Sequence, residues 1–266
     1  MDLILAAHGT RRPGGVAMIA DLAARVSALL DRTVQVAFVD VLGPTPTEVL
    51  SRAAAGGRPA VVVPAFLARG YHVRTDLPAH VAASGHPDVI VTPALGPSEE
   101  IARILAHQLA KSGWRVGDSV ILGAAGTTDV RARADVHTTA TTLSALVRSR
   151  VRLGFAATGD PYVDEAVAAA RRDGARRVAV ASYLLADGLF QERLRGCGAD
   201  LVSRPLGTHP GLAHLIANGF RGAMPVTTRH ASRRLGLRPH GPHGLLNSLG
   251  RSHSALPTGH ADARDA

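Results

Sequence analysis

Two histidines stand directly behind apolar runs of the kind that form buried strands. His8 follows Leu3–Ala7 in LILAAHGTRR, and His72 lies beyond Ala60–Pro64 in PAFLARGYHVRTDLPAH. Asp40 follows a third such run, Val34–Val39. Two imidazoles and a carboxylate suit a borderline divalent ion such as Fe2+, Co2+ or Ni2+. A neutral imidazole also accepts a proton near pH 7. In open parallel sheets, ligands bind beyond the carboxyl ends of the strands. Three neighbouring strand ends would therefore bring His8, Asp40 and His72 together.

The elements that must do this alternate along the chain. Val16, Ile19, Ala20, Ala23, Val26 and Leu30 recur at helical spacing after the first strand. Thr45–Ala55 reads as a helix with Pro46 near its start. Beyond the His72 loop come a short helix and a strand at Val89–Val91. Helix 97–112 is marked by Ser98, Glu99 and Glu100 at its start and Gly113 past its end. The order then begins again, with strands at Ser119–Gly123, Val151–Phe155, Arg177–Ala181 and Leu201–Ser203, and helices over 130–148, 161–172 and 210–221. Such alternation predicts parallel sheets with right-handed helical crossovers.

The two halves superpose in sequence at an offset of 117 residues: His8-Gly9-Thr10 falls on Ala125-Gly126-Thr127, Phe38 on Phe155, Pro44 on Pro161 and Val61 on Val178. Leu95-Gly96 matches Leu206-Gly207 after small length changes. His8 then corresponds to Ala125, Asp40 to Ala157 and, with one inserted residue, His72 to Phe190. A residue needed only for the fold should recur in both halves. These three do not, so they are read as a site. Expected is an α/β protein of two duplicated open parallel-sheet domains, 1–114 and 115–224, facing a central cleft. A tail, 225–266, is rich in Gly, Pro, Ser, Arg and His and is expected to be disordered. His230, His240, His243, His253 and His260 make it a candidate metal-gathering segment.

Composition narrows the function classes. The chain has 266 residues, of which 3% are aromatic, too few for a stacking platform on single-stranded nucleic acid. The net charge is +9, of which the tail supplies +4. The remainder favours anionic ligands without identifying them, nucleic acid and a small polycarboxylate being the candidates. A single cysteine, Cys197, excludes an internal disulfide. No signal region or membrane-spanning run is expected, and a cytoplasmic location follows. Neither GxGxxG nor GxxxxGK[ST] follows a strand, which disfavours nucleotide binding.

The stretches AHGTR (7–11), AFVDVLGPTP (37–46) and VVVPAFLARGYHVRTDLP (61–78) resemble the class II tetrapyrrole chelatases, and more narrowly the sirohydrochlorin chelatases. The most specific pattern is Gly-x-His-x-x-x-Asp-x-Pro, here Gly70, His72, Asp76 and Pro78. The resemblance implies insertion of Fe2+ or Co2+ into sirohydrochlorin, for sirohaem or cobalamin. It gives His8 and His72 as the catalytic, metal-handling pair, with Asp40 as proton relay or third ligand. The family commonly has Glu where Asp40 stands, and His-Gly-Ser where this chain has His-Gly-Thr. Thr10, Arg11, Arg69 and Arg74, with Arg12, are the candidate contacts to the substrate's rim carboxylates. Asp76 reads as a helix cap or loop brace. No cofactor is expected to be permanently bound, because the divalent metal is itself a substrate. The expected partners are the small tetrapyrrole and that ion, without nucleic acid or membrane, in a monomer or homodimer. The competing reading is a non-enzymatic carrier of divalent metal, which would bind the ion but no tetrapyrrole.

Overall fold

The computed structural model describes residues 1–224. The tail and its five histidines lie outside the described residues. Strands β1 (Asp2–Ala7), β2 (Val34–Phe38), β3 (Ala60–Pro64) and β4 (Val89–Val91) form one parallel sheet in the order β2-β1-β3-β4. Strands β5 (Ser119–Gly126), β6 (Val151–Thr158), β7 (Val178–Tyr183) and β8 (Leu201–Val202) form a second in the same order, β6-β5-β7-β8. The expected α/β duplication is therefore present, strand for strand.

Alternation along each strand explains how both faces are buried. Leu3, Leu5, Val61 and Val63 face an inner core, while Ile4, Ala6 and Val62 face an outer one. In the second sheet Val120, Leu122, Ala179 and Ala181 face the same inner core, and Ile121, Val178 and Val180 face out. The outer faces are covered by α2 (Pro46–Ala55) and α3 (Leu77–Ala83) on one sheet and by α6 (Val163–Arg172) and α7 (Leu189–Arg195) on the other. Between the sheets lie α1 (Pro13–Leu30), α4 (Glu99–Lys111), α5 (Val130–Val147) and α8 (Pro210–Ala223).

Those inner helices are exchanged. Helix α4 belongs by sequence to the first half, yet it packs on β7 and α5. Helix α8 belongs to the second half, yet it packs on β3 and α1. Ile101, Leu105, Leu212, Ile216 and Phe220 join one continuous cluster with strands of both sheets. Gln108 on α4 is buried and donates to the Pro205 carbonyl at 3.1 Å. Strand content thus divides near residue 114, but helix packing does not. The described residues, 1–224, belong to one compact unit.

Against the expectation of no membrane-spanning run, helix α1 is long and apolar enough, by length and composition, to cross a membrane. In the fold its Ile19, Leu22, Ala23 and Val26 belong to the inner core.

Two sequence correspondences shift by one residue. Ala60 pairs with Asp2 and Val178 with Ser119, so the offset is already 118 at β7. Val61 therefore answers to Ala179, not Val178. The period of two in a strand makes the distinction visible, because Val61 faces inward and Val178 outward. A bulge between Ala124 and Gly126 similarly sets Thr158 against Gly126, where Asp40 sits against Gly9. The second half still offers no carboxylate there.

Candidate functional site

The carboxyl ends of β1, β2 and β3 deliver the three candidate residues. Beyond the strands the ladder continues: Val39 N–H donates to Ala7 O at 2.8 Å and Asp40 N–H to His8 O at 3.0 Å. This close approach demands glycine next to His8. Gly9 has φ of +99°, and a Cβ there would collide with the Asp40 carbonyl. The backbone beyond Asp40 is strained as well, with Val41 at φ +71°, an uncommon conformation for a β-branched residue. The Val41 N–H donates to Asp40 Oδ1 at 2.7 Å and leaves Oδ2 free.

His72 does not sit in a loop, as its sequence context suggested. It opens a π-helical turn, His72–Asp76, that runs directly into α3. Single π turns are common at functional sites. The turn places Asp76 on the same face as His72, and Asp76 Oδ2 lies 2.6 Å from His72 Nδ1. Asp76 makes no cap hydrogen bond, so the cap reading is replaced by an imidazole brace.

Those bonds fix the tautomers. A carboxylate oxygen accepts, so Nδ1 of His72 carries a hydrogen, and in the neutral ring the lone pair is then on Nε2. His8 Nδ1 lies 3.1 Å from the Gly9 carbonyl, which again only accepts and again leaves Nε2 as the free lone pair. The two rings meet edge to face, with centroids 4.3 Å apart and planes at 79°. Phe66 stacks behind His72 at 6.2 Å. His8, Asp40 and His72 each offer one ligand atom, all within 4.8 Å of one another. Bonds of about 2.1 Å from imidazole to a first-row ion would need these atoms slightly closer. Exposed His8 and Asp40 side chains have the freedom to close that distance.

His80 was not singled out in the sequence. Its Nε2 donates to the Val39 carbonyl at 3.1 Å, and its Nδ1 lies 2.8 Å from Thr47 Oγ1. It ties α3 and α2 to the strand end that carries Asp40. Its spacing from His72, eight residues or about two helical turns, was the available signal.

His8 and His72 open onto a cavity of about 550 Å³ between the two sheets. Its far wall comes from the second half and is apolar at the corresponding positions, with Ala125 and Phe190 in place of the histidines. Leu184, Leu185 and Tyr71 add further apolar surface. Asp40 lies at the edge of a smaller adjoining cavity, together with Asp76 and His80.

The candidate substrate contacts are placed unequally. Thr10 lines the main cavity, and its hydroxyl accepts from Arg12 N–H at 3.2 Å. Arg11 is exposed at the rim. Arg69 is already paired: its backbone N–H and guanidinium bind the buried Asp135 of α5, with Nη2 to Oδ1 at 2.5 Å. Despite its burial the Asp135 carboxyl is held below the usual carboxylate range by these Arg69 bonds. Arg74 faces Asp129 at 3.5 Å, and Arg12 binds Glu192 at 2.5 Å.

Comparison with known proteins agrees with this layout. The CbiX family model matches residues 2–112 and again 119–223, once for each half. The sirohydrochlorin cobaltochelatase of Methanopyrus kandleri is 37% identical over 78 residues, covering 29% of this chain and about half (54%) of that protein. The sirohydrochlorin ferrochelatase of Priestia megaterium is 25% identical over 236 residues, 82% of this chain and 89% of that protein. The solved structure of SirB from Bacillus subtilis with Fe3+ shares the fold, with a TM-score of 0.72 at 22% identity over 83% of this chain and 95% of the other. With both halves matched by one family model and the same sheet order in each, this chain belongs to the CbiX family.

Proposed function

We propose that the chain inserts Fe2+ or Co2+ into sirohydrochlorin, with His8 and His72 as the metal-handling pair and Asp40 as their acidic neighbour. One observation carries the reading. His8 and His72 stand on one wall of a cleft whose opposite wall has Ala125 and Phe190 at the corresponding positions, and a carboxylate oxygen of Asp40 lies within 4.8 Å of a nitrogen of each ring.

The chemistry follows from what metallation needs. A hydrated ion must shed water, and the macrocycle must lose its two inner N–H protons. The ring lies flat against the apolar wall formed by Phe190 and the small residues around Ala125. His8 and His72 replace water on the ion and hold it over the ring face. As the ion passes to the ring nitrogens, the two Nε2 lone pairs are freed, and they take up the two pyrrole protons. Asp40, open to solvent, passes these protons out. No redox step is needed. Sirohydrochlorin's rim carboxylates meet the arginines at the cleft mouth. The setting is cytosolic synthesis of sirohaem or cobalamin.

The test mixes purified protein, sirohydrochlorin and Co2+ or Fe2+ and follows the absorbance change of metallation. Catalysis above the protein-free rate supports the proposal. Metal binding without ring binding would favour the carrier instead, a reading that leaves the apolar cleft unexplained.

A further inference from the structure

The duplication relates two ion pairs at the cleft rim. Arg12 of the β1–α1 connection binds Glu192 of α7, with Nη1 to Oε1 at 2.5 Å and Nη2 to Oε2 at 3.3 Å. Arg74 of the π turn faces Asp129, which precedes α5, at 3.5 Å. At an offset of 117 Arg12 corresponds to Asp129, and at 118 Arg74 corresponds to Glu192. The two pairs are therefore images of each other under the internal repeat, with the charges reversed. Both cations come from the half that carries the histidines, and both anions from the half that does not.

Their setting differs from that of Arg69. Asp135 is only 2% exposed and takes four hydrogen bonds from Arg69, a permanent tie between the halves. Arg12 and Glu192 are about half exposed, at 49% and 53%. Arg12 stands two residues after Thr10, and Glu192 two residues after Phe190, and both Thr10 and Phe190 line the cavity. The Arg12 side chain also passes within 3.8 Å of the Cβ position of Gly188, at the start of α7. The guanidinium thus links the two halves close to the cavity lining.

We propose that Arg12–Glu192 is an exchangeable clasp, in which Glu192 occupies the arginine until a rim carboxylate of the tetrapyrrole displaces it. The proposal rests on the chelatase reading and extends it. Arg12 becomes a specificity-determining contact for an anionic ring edge, and Glu192 becomes its intramolecular competitor. Arg74 and Asp129 form the corresponding, looser clasp on the other flank. Its carboxylate also caps α5 through Arg131 and Ala132 N–H, so it is the poorer place to test.

The experiment measures KM for sirohydrochlorin at saturating Co2+ in wild type, Glu192→Ala, Arg12→Ala and the double variant, with melting temperatures alongside. Removing the competitor lowers KM about two- to fivefold, the range an exposed arginine–carboxylate pair spans. Arg12→Ala raises KM with kcat nearly unchanged, the mark of a lost binding contact. In the double variant the gain from Glu192→Ala disappears. A Glu192→Ala KM that is unchanged or raised, in a protein that still metallates sirohydrochlorin, overturns the clasp alone, because Glu192 would then be inert or be holding Arg12 in place. A wild type that neither binds nor metallates the ring overturns the chelatase reading and the clasp with it.

Discussion

Asp76 Oδ2 accepts from Nδ1 of His72 at 2.6 Å, and this bond determines which nitrogen of His72 faces the cleft. The sequence motif placed the two residues four apart, and the π turn brings them onto one face. Carboxylates behind ligating histidines typically contribute a 10- to 100-fold factor in metal affinity or activity. Asp76→Ala is expected to weaken Co2+ binding and slow metallation by roughly that factor. Asp76→Asn should do at least as much harm, because its amide can donate to Nδ1 and trap the tautomer with Nε2 protonated. Isothermal titration with Co2+ and the metallation rate check this. An Asp76→Ala protein with wild-type values for both would refute the positioning role.

Gly9 lies at φ +99° with its open side against the Asp40 carbonyl. Gly9→Ala combines a left-handed conformation with a collision against backbone. A cost of about 2 kcal/mol or more is expected, read as a fall in Tm of several degrees. Gly57, at φ +62° with nothing near its Cβ position, supplies the control. Gly57→Ala should lower Tm less, since it adds strain without collision.

Arg69 was a candidate substrate contact, and its bonds to Asp135 make it a tie between the halves. Arg69→Ala leaves the buried Asp135 carboxylate without its guanidinium bonds, keeping only the backbone N–H at position 69 of the Arg69 contacts. The expected loss is about 1–3 kcal/mol, less than for a fully buried pair because Arg69 is itself mostly solvated. In chemical denaturation the double variant with Asp135→Asn should lose less than the two single losses combined. Strict additivity would show that the pair is not coupled.

His209 caps α8 by accepting from Gly211 N–H at 3.0 Å, and its Nε2 donates to His107 Nδ1 at 2.7 Å. Burial first, then His107 and Lys111, lower its pKa below the ordinary histidine value. The folded protein therefore binds this proton more weakly than the unfolded chain. Stability from this site is fully present above the unfolded pKa of about 6.5 and is lost as pH falls below it and through the lower folded pKa. The Tm of wild type should drop more steeply between pH 7.5 and 5.5 than that of His209→Asn, which keeps a cap acceptor without the titration. Parallel curves would contradict the assignment.

The fold was legible because each apolar run is short and bounded, and because the repeat gives every strand a second copy. Helix α7 was not anticipated. It spans seven residues with no side-chain cap, too few turns to show a helical period. The exchange of α4 and α8 leaves no local trace either, since both helices are equally apolar on one face wherever they pack. At the site, His8, Asp40 and His72 stood out because their repeat partners are apolar or neutral. Asp76 was visible only as a residue type, since its role depends on a π turn rather than the loop expected there. The clasp partners of Arg12 and Arg74 required the relation between halves, which single-strand patterns do not carry.

The central claim is that two imidazoles, presented by strand ends of the first half alone, handle the ion. The direct measurement is the rate of Co2+ insertion into sirohydrochlorin for His8→Ala, His72→Ala and the pair together. Each single variant should fall by at least 100-fold, a loss expected where a lone pair must both hold the ion and accept a proton. Ring binding, followed by fluorescence quenching, should stay close to wild type. Full metallation activity in either single variant, with the ring still bound, would contradict the account.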